Sequence, residues 1–188
     1  FDTSTEALSI AVGHWQGEAL QVWQHGGPGG AQASATLIPQ ALALLDQAGM
    51  ALGELDAVAF GAGPGSFTGL RTACAVAQGL AFGAGVPVLP VDTLLAVAEE
   101  ARHSAGVSRV QAVLDARMDE VYTAAWLHDG MQWQAQGAAA LSAPQDVPVP
   151  AGWVLAGNAF AAYGPRLPPA AGRIDAQPGA AAMLRLAP

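Results

Sequence analysis

Leu8, Ile10 and Val12 alternate with Ser9 and Ala11, the period-two pattern of a strand buried on one face. The pattern predicts a strand within Phe1 to Val12, a hairpin connection at His14-Trp15-Gln16-Gly17-Glu18, and a second strand over Ala19 to Gln24. His25 to Gly30 reads as a Gly/Pro loop. Leu37, Ile38, Ala41, Leu42 and Leu45 then recur at helical spacing, so a helix is expected to start with Ser34 or Thr36 as N-cap and to stop at Gly49. Pro39 fits such a helix in its first turn, where amides lack intrahelical partners.

Asp56 to Gly61 is a short apolar run suited to a buried strand, and Phe67 to Gly83 a helix behind a glycine-rich turn. Val86 to Val91 predicts another buried strand and Thr93 to Ala101 a third helix. Strand, helix, strand and helix with short connections describe an α/β sheet containing parallel pairs. The polar stretch His103-Ser104-Ala105-Gly106 is the expected domain boundary, dividing residues 1–104 from a smaller α/β lobe over 105–188. Val110 to Asp115 and Val121 to Leu127 alternate as strands around a turn at Arg117-Met118-Asp119-Glu120. Ala135 to Pro150 has no period and reads as a surface crossing, Trp153 to Ala156 as one more strand, and Ala180 to Leu186 as a final helix.

Composition narrows the function classes. With 52% hydrophobic and 12% charged residues among 188, the chain has the balance of a packed globule and not of a disordered one. No apolar run approaches the roughly 20 residues that span a bilayer, and the segment at Phe1 lacks the basic and apolar regions of a signal peptide. The single Cys74 has no internal partner, which fits a reducing compartment, so the expectation is a cytoplasmic protein. A net charge of -8, with seven Lys and Arg, none adjacent, opposes a direct grip on tRNA or other nucleic acid.

The most informative stretch is Gly61-Ala62-Gly63-Pro64-Gly65-Ser66-Phe67-Thr68-Gly69-Leu70-Arg71. Pro64 followed by Gly65 suits a type II turn. Ser66 can cap the helix and leave free amides that favour an anion. A tight turn without a ligand explains the glycines equally well, because the dinucleotide pattern lacks its third glycine and no P-loop spacing exists. From Leu70 to Ala81 the helix carries one charge, Arg71. Leu70, Ala73, Val76, Ala77 and Leu80 mark one face, and Thr72, Ala75, Gly79 and Phe82 the other. A helix apolar all round is buried on both sides, against its own sheet and against either the first helix or a partner subunit.

The chemistry of an enzyme is sparse. His14, His25, His103 and His128 are scattered without helical pairing, and no metal set or cofactor motif is expected. Asp2-Thr3-Ser4-Thr5 resembles the phosphate hairpin of sugar kinases and related ATPases, without the glycine that lets phosphate approach the backbone. Asp2, Ser4, Thr5, Gly63, Gly65 and Ser66 are the candidates for any nucleotide contact. Asp115, Asp119 and Glu120 flank a hairpin turn, where solvated carboxylates are common.

Phe1-Asp2-Thr3-Ser4-Thr5-Glu6 and Phe60 to Arg71 resemble the TsaB family, also called YeaZ. Val91-Asp92-Thr93-Leu94, Asp115 to Tyr122 and the looser Gly157-Asn158-Ala159 match as well, with Asp119 where that family usually has Gly. The resemblance implies an actin-like (ASKHA) fold of two lobes on a ribonuclease H-like mixed sheet, with the family's first residues and C-terminal tail trimmed. It implies a non-catalytic subunit that binds and organises TsaD, a metal-containing paralogue that transfers threonylcarbamoyl to adenosine 37 of tRNA. A TsaE-like ATPase is the further implied partner, and self-association through the same surface is implied when the chain is alone. That surface maps to Ser34 to Gln47 and Phe67 to Phe82, with Leu37, Ala41, Leu45, Thr72, Ala75, Gly79 and Phe82 as its contact residues. TsaD binds metal through paired histidines on its first helix, and Ala33 to Leu45 contains none. The alternatives are a metal-dependent, glycoprotease-like peptidase and a small-molecule kinase of the same superfold.

Overall fold

A computed structural model describes residues 1–17 and 19–187; Glu18, in the expected hairpin connection, and Pro188 lie outside the described residues. The chain divides into two units, Phe1–Thr93 together with the residues from Pro178 on, and Leu94–Gln177.

In the first unit, strands β1 (Ala7–Gln16) and β2 (Ala19–Pro28) form an antiparallel hairpin from Ala7↔Pro28 to Gln16↔Ala19. Leu8, Ile10 and Val12 turn one face of β1 into the core, as their alternation predicts. β2 runs through the expected loop at His25 to Pro28, because it is paired along its whole length with β1. Helix α1 (Ala31–Ala48) starts earlier than the Ser34 or Thr36 cap, behind Gly30 at φ 63°, so Pro39 falls inside the helix. Its Leu37, Ala41, Leu44 and Leu45 fill the core, and Gly49 at φ 68° ends it.

Strand β3 (Val58–Gly63) pairs in parallel with β4 (Val88–Asp92), and α2 (Phe67–Ala84) makes the crossover. Phe1 and Asp2 lie between the two strand pairs. The Phe1 nitrogen donates to the Ala59 carbonyl at 3.0 Å, Gly61 N–H donates to the Phe1 carbonyl at 3.0 Å, and Asp2 exchanges backbone bonds with Ser9. The last helix of the chain, α5 (Ala180–Leu186), has its predicted limits. It packs on β1 and β3, with Ala180 N–H donating to the Ser9 hydroxyl at 2.8 Å.

The second unit begins in the first turn of α3 (Thr93–Ala105). Leu94, Val97, Ala98 and Ala101 on this helix share a core with Val110, Ala112 and Leu114, and this places the division ahead of the 104/105 boundary expected from polar composition. His103 to Ala105 are the helix's exposed last turn. β5 (Arg109–Arg117) and β6 (Glu120–His128) form the central antiparallel pair. β9 (Val154–Gly157) and β10 (Gly172–Asp175) extend the sheet in parallel beyond β5. On the other side β6 pairs with β7 (Trp133–Ala135), which ends where the expected surface crossing starts, and with β8 (Ala140–Ser142) inside that crossing. Val113, Val121, Leu155 and Tyr163, the last from the short α4 (Phe160–Tyr163), fill a core distinct from that of α3. The fold is therefore mixed α/β with a mixed sheet.

Candidate functional site

The glycine loop joins β3 to α2, and its conformation differs from the expected type II turn. Gly63 carries the positive φ, 107°, the Gly63–Pro64 peptide is cis, and Gly65 has no left-handed φ. What requires glycine at 65 is proximity: a Cβ there would stand 2.6 Å from both the carbonyl oxygen and the Cβ of Ser4. A Cβ on Gly69 would overlap the Thr3 carbonyl, and one on Gly61 the Asp2 carboxylate. The three glycines thus let the Asp2-Thr3-Ser4 backbone press against the loop and the first turn of α2.

Hydrogen bonds lock this contact. Ser66 N–H donates to the Ser4 carbonyl at 2.7 Å, and the Thr3 hydroxyl to the Gly69 carbonyl at 2.7 Å. Gly69 N–H donates to Ser66 Oγ at 3.4 Å, the expected cap. Two amides that could face an anion are therefore bonded inside the chain. Gly63 N–H donates to Thr93 Oγ1 at 3.0 Å, fixing the end of β3.

Asp2 is the one strongly perturbed acid of this region. It is 1% exposed, and its Oδ1 accepts from Ser4 N–H at 2.9 Å and from the Ser4 hydroxyl at 2.7 Å. Its Oδ2 is buried without a hydrogen-bond partner. Burial pushes the carboxyl up to about 6, although both Ser4 bonds pull it down. Thr5 Oγ1 accepts from Ala7 N–H at 3.2 Å. The structure therefore brings Asp2, Ser4, Gly65 and Ser66 into contact, while Gly63 is tied to Thr93.

Behind the loop, α2 has two different sides. Gly69, Ala73, Ala77 and Ala81 are buried against the unit's own core. Phe67 (69% exposed), Arg71, Ala75, Gly79 and Phe82 (92% exposed) follow one another along the outer side, and Thr72 is half-buried. The Arg71 guanidinium lies 3.8 Å from the centre of the Phe67 ring. On α1 the expected contact residues Leu37, Ala41 and Leu45 are core residues, with Leu37 at 0% exposure. Ile38 (40%) and Leu42 (46%) are the large apolar residues that reach the surface there. Both sides of α1 are apolar, so the repeat does not tell which one the sheet covers, and the exposed set lies one position on from the expected one. The sequence marks Arg71 as the only charge on its helix, and the i, i+4 spacing to Phe67 is the signal for the stacking.

The first unit also holds an open, mostly apolar cavity of about 950 Å³ between β1, β3, α1 and α5, lined among others by Val12, Leu45, Val58 and Leu184. In the second unit the carboxylates of the hairpin are structural. Asp115 accepts from Arg117 N–H at 2.7 Å and from the Tyr163 hydroxyl at 3.1 Å, and Asp119 pairs with Arg166 at 2.7 Å. Asp119 and its neighbours Arg117 and Met118 all have positive φ. Among the described residues no three of His, Cys, Asp and Glu converge as a metal site, and no helix is long and apolar enough to cross a membrane.

Known proteins resemble this chain over most of its length. A family model described as TsaD, tRNA N6-adenosine threonylcarbamoyltransferase, matches residues 30–156. The Haemophilus influenzae tRNA threonylcarbamoyladenosine biosynthesis protein TsaB is 44% identical over 123 residues, 64% of this chain and 50% of that one. The match thus spans half the length of that relative. The Escherichia coli protein of the same name is 35% identical over 169 residues, 86% of this chain and 71% of that one. Among solved structures, YeaZ from Pseudomonas aeruginosa superposes with a TM-score of 0.86 at 39% identity, over 98% of this chain and 87% of that one. A further Pseudomonas aeruginosa structure, described as an uncharacterized protein with similarity to peptidase YeaZ, gives a TM-score of 0.87 at 39% identity.

Proposed function

The chain belongs to the TsaB (YeaZ) family of tRNA threonylcarbamoyladenosine biosynthesis proteins, and we propose that its part in that biosynthesis is to bind and organise a TsaD-type paralogue without performing the transfer itself. The observation that carries this reading is the outer side of α1 and α2. Ile38, Leu42, Phe67 and Phe82 are exposed there, with Ala75 and Gly79 between the two aromatics of α2. Large exposed apolar side chains on adjacent elements mark a protein contact, and small residues between them allow a facing helix to approach closely. The match to the TsaD family model over residues 30–156, which include both helices, makes a paralogue with a similar helix pair the natural occupant. Self-association through the same face, and a TsaE-type ATPase joining the pair, belong to the same proposal.

The glycine loop supports it as well. Asp2, Thr3 and Ser4 fill the space against Gly61, Gly65 and Gly69, so the backbone of the loop is already covered from within the chain. Asp2, Ser4 and Ser66 already bond one another, and a nucleotide at these residues would compete with the Ser66–Ser4 and Ser4–Asp2 bonds. The net charge of -8 leaves the hold on tRNA to the partner.

Reconstituted threonylcarbamoyl transfer to tRNA by the paralogue is the test. The proposal expects activity to depend on this chain, to be lost with Gly79→Arg, and to survive His14→Ala, His25→Ala, His103→Ala and His128→Ala combined. Transfer that proceeds unchanged with Gly79→Arg, or stops with the histidine changes in a well-folded complex, overturns it.

A further inference from the structure

Arg71 is the only charged residue of α2, and it stands on the exposed side of the helix between apolar and small neighbours. Its guanidinium rests 3.8 Å above the Phe67 ring, one turn back, and Phe67 is itself largely exposed. The ion pairs at Arg102, Arg117 and Arg166 do not involve Arg71. Stacking on an aromatic ring restricts a long side chain in advance, so less freedom is lost when a partner engages it. Aromatic and Arg side chains are the types that dominate binding energies at the centre of interfaces.

A partner that covers this face strips water from the guanidinium. Burying a cation without a counter-charge is strongly unfavourable, whereas a planar fork meeting a carboxylate recovers the loss through paired, charge-assisted hydrogen bonds. The face offers little of its own: α2 contains no Asp or Glu, and α1 contains only Asp46, in its last turn. A second copy of this chain, presenting the same two helices, therefore brings a second Arg71 and hardly any acid to meet the first.

We propose that Arg71, held by Phe67, determines which partner this face accepts: the cognate surface is an apolar helix face carrying a carboxylate opposite the guanidinium. The proposal rests on the reading that a TsaD-type paralogue occupies this face. Under it, the paralogue is preferred over a second copy because it supplies the missing negative charge, and self-association is the weaker use of the same surface.

The test is calorimetric titration of the full chain with the paralogue, alongside light scattering of the chain alone, for wild type, Arg71→Lys and Arg71→Met. Arg71 is exposed, so all three are expected to fold, and matching thermal melts establish that they do. The expected result is a loss of paralogue affinity of at least about tenfold with Arg71→Met and a smaller loss with Arg71→Lys, which keeps the charge but not the fork. Self-association is expected to stay level or strengthen with Arg71→Met. Wild-type affinity for the paralogue should also fall with added salt more steeply than that of Arg71→Met. Arg71→Met binding the paralogue as wild type does overturns this inference and leaves the proposed function standing. Equal loss of both associations overturns it too, since Arg71 then acts as general packing. No binding of wild type to a folded paralogue overturns the proposed function and this inference with it.

Discussion

Asp2 has one carboxyl oxygen satisfied twice by Ser4 and the other buried with no partner, and its burial raises the carboxyl against the pull of the Ser4 bonds. Because its folded-state value of about 6 lies above the ordinary 3.8, the neutral carboxyl is the form the fold prefers. Its stabilising share is fully present below the ordinary value and is lost as pH rises through about 6. Asp2→Asn removes the titration, so urea denaturation of wild type and variant at pH 4 and pH 7 should diverge. Wild type is expected to lose about 2–3 kcal/mol relative to the variant over that range, and parallel pH profiles would contradict the assignment. The glycines give a second residue-scale test. Gly69→Ala places a methyl group on the Thr3 carbonyl and should destabilise by about 2 kcal/mol or more, read from the melting transition. Gly79→Ala meets nothing within 4 Å and should be neutral or stabilising by up to about 1 kcal/mol. The motif from Gly61 to Arg71 was legible as special in the sequence. Its reason was not, since Gly61, Gly65 and Gly69 meet Asp2, Ser4 and Thr3 from the far start of the chain, and local turn chemistry points to Gly65 as a left-handed residue instead of a point of contact.

At the scale of elements, the helices show what periodicity conveys and what it omits. α2 and α5 have the expected limits to within a residue, because Ser66, Gly85 and the apolar run at Ala180 to Leu186 state them locally. α1 starts several residues early, since Gly30 with its left-handed φ opens the helix and Pro39 is tolerated inside it. The strands β7, β8 and β10 are three or four residues long and too short to show alternation. The sides of α1 and α2 separate in a mutational test. Leu37→Ala opens the core and should cost about 2–5 kcal/mol of stability. Leu42→Arg and Ala75→Arg lie on the outer side and should leave the melting temperature within about a degree or two while removing association with the paralogue. If Ala75→Arg melts like Leu37→Ala, the outer side of α2 is core and the docking face is misplaced.

For the whole molecule, the division at Thr93/Leu94 groups the glycine loop, α1, α2 and α5 in one unit and the β5–β6 sheet in the other. The proposed docking surface and the glycine loop beside it therefore share one core, so on this proposal partner binding depends on the stability of that unit. An acidic chain with a small-residue, aromatic-flanked helix face is suited to holding another protein and poorly suited to holding RNA. The measurement closest to this claim is light scattering on size-exclusion fractions of the chain mixed with its TsaD-type paralogue. The account predicts a one-to-one complex for wild type that is absent with Gly79→Arg, with both proteins folded and each still eluting as a defined species. A complex that forms equally well with Gly79→Arg, or no complex from two folded wild-type proteins, would contradict it.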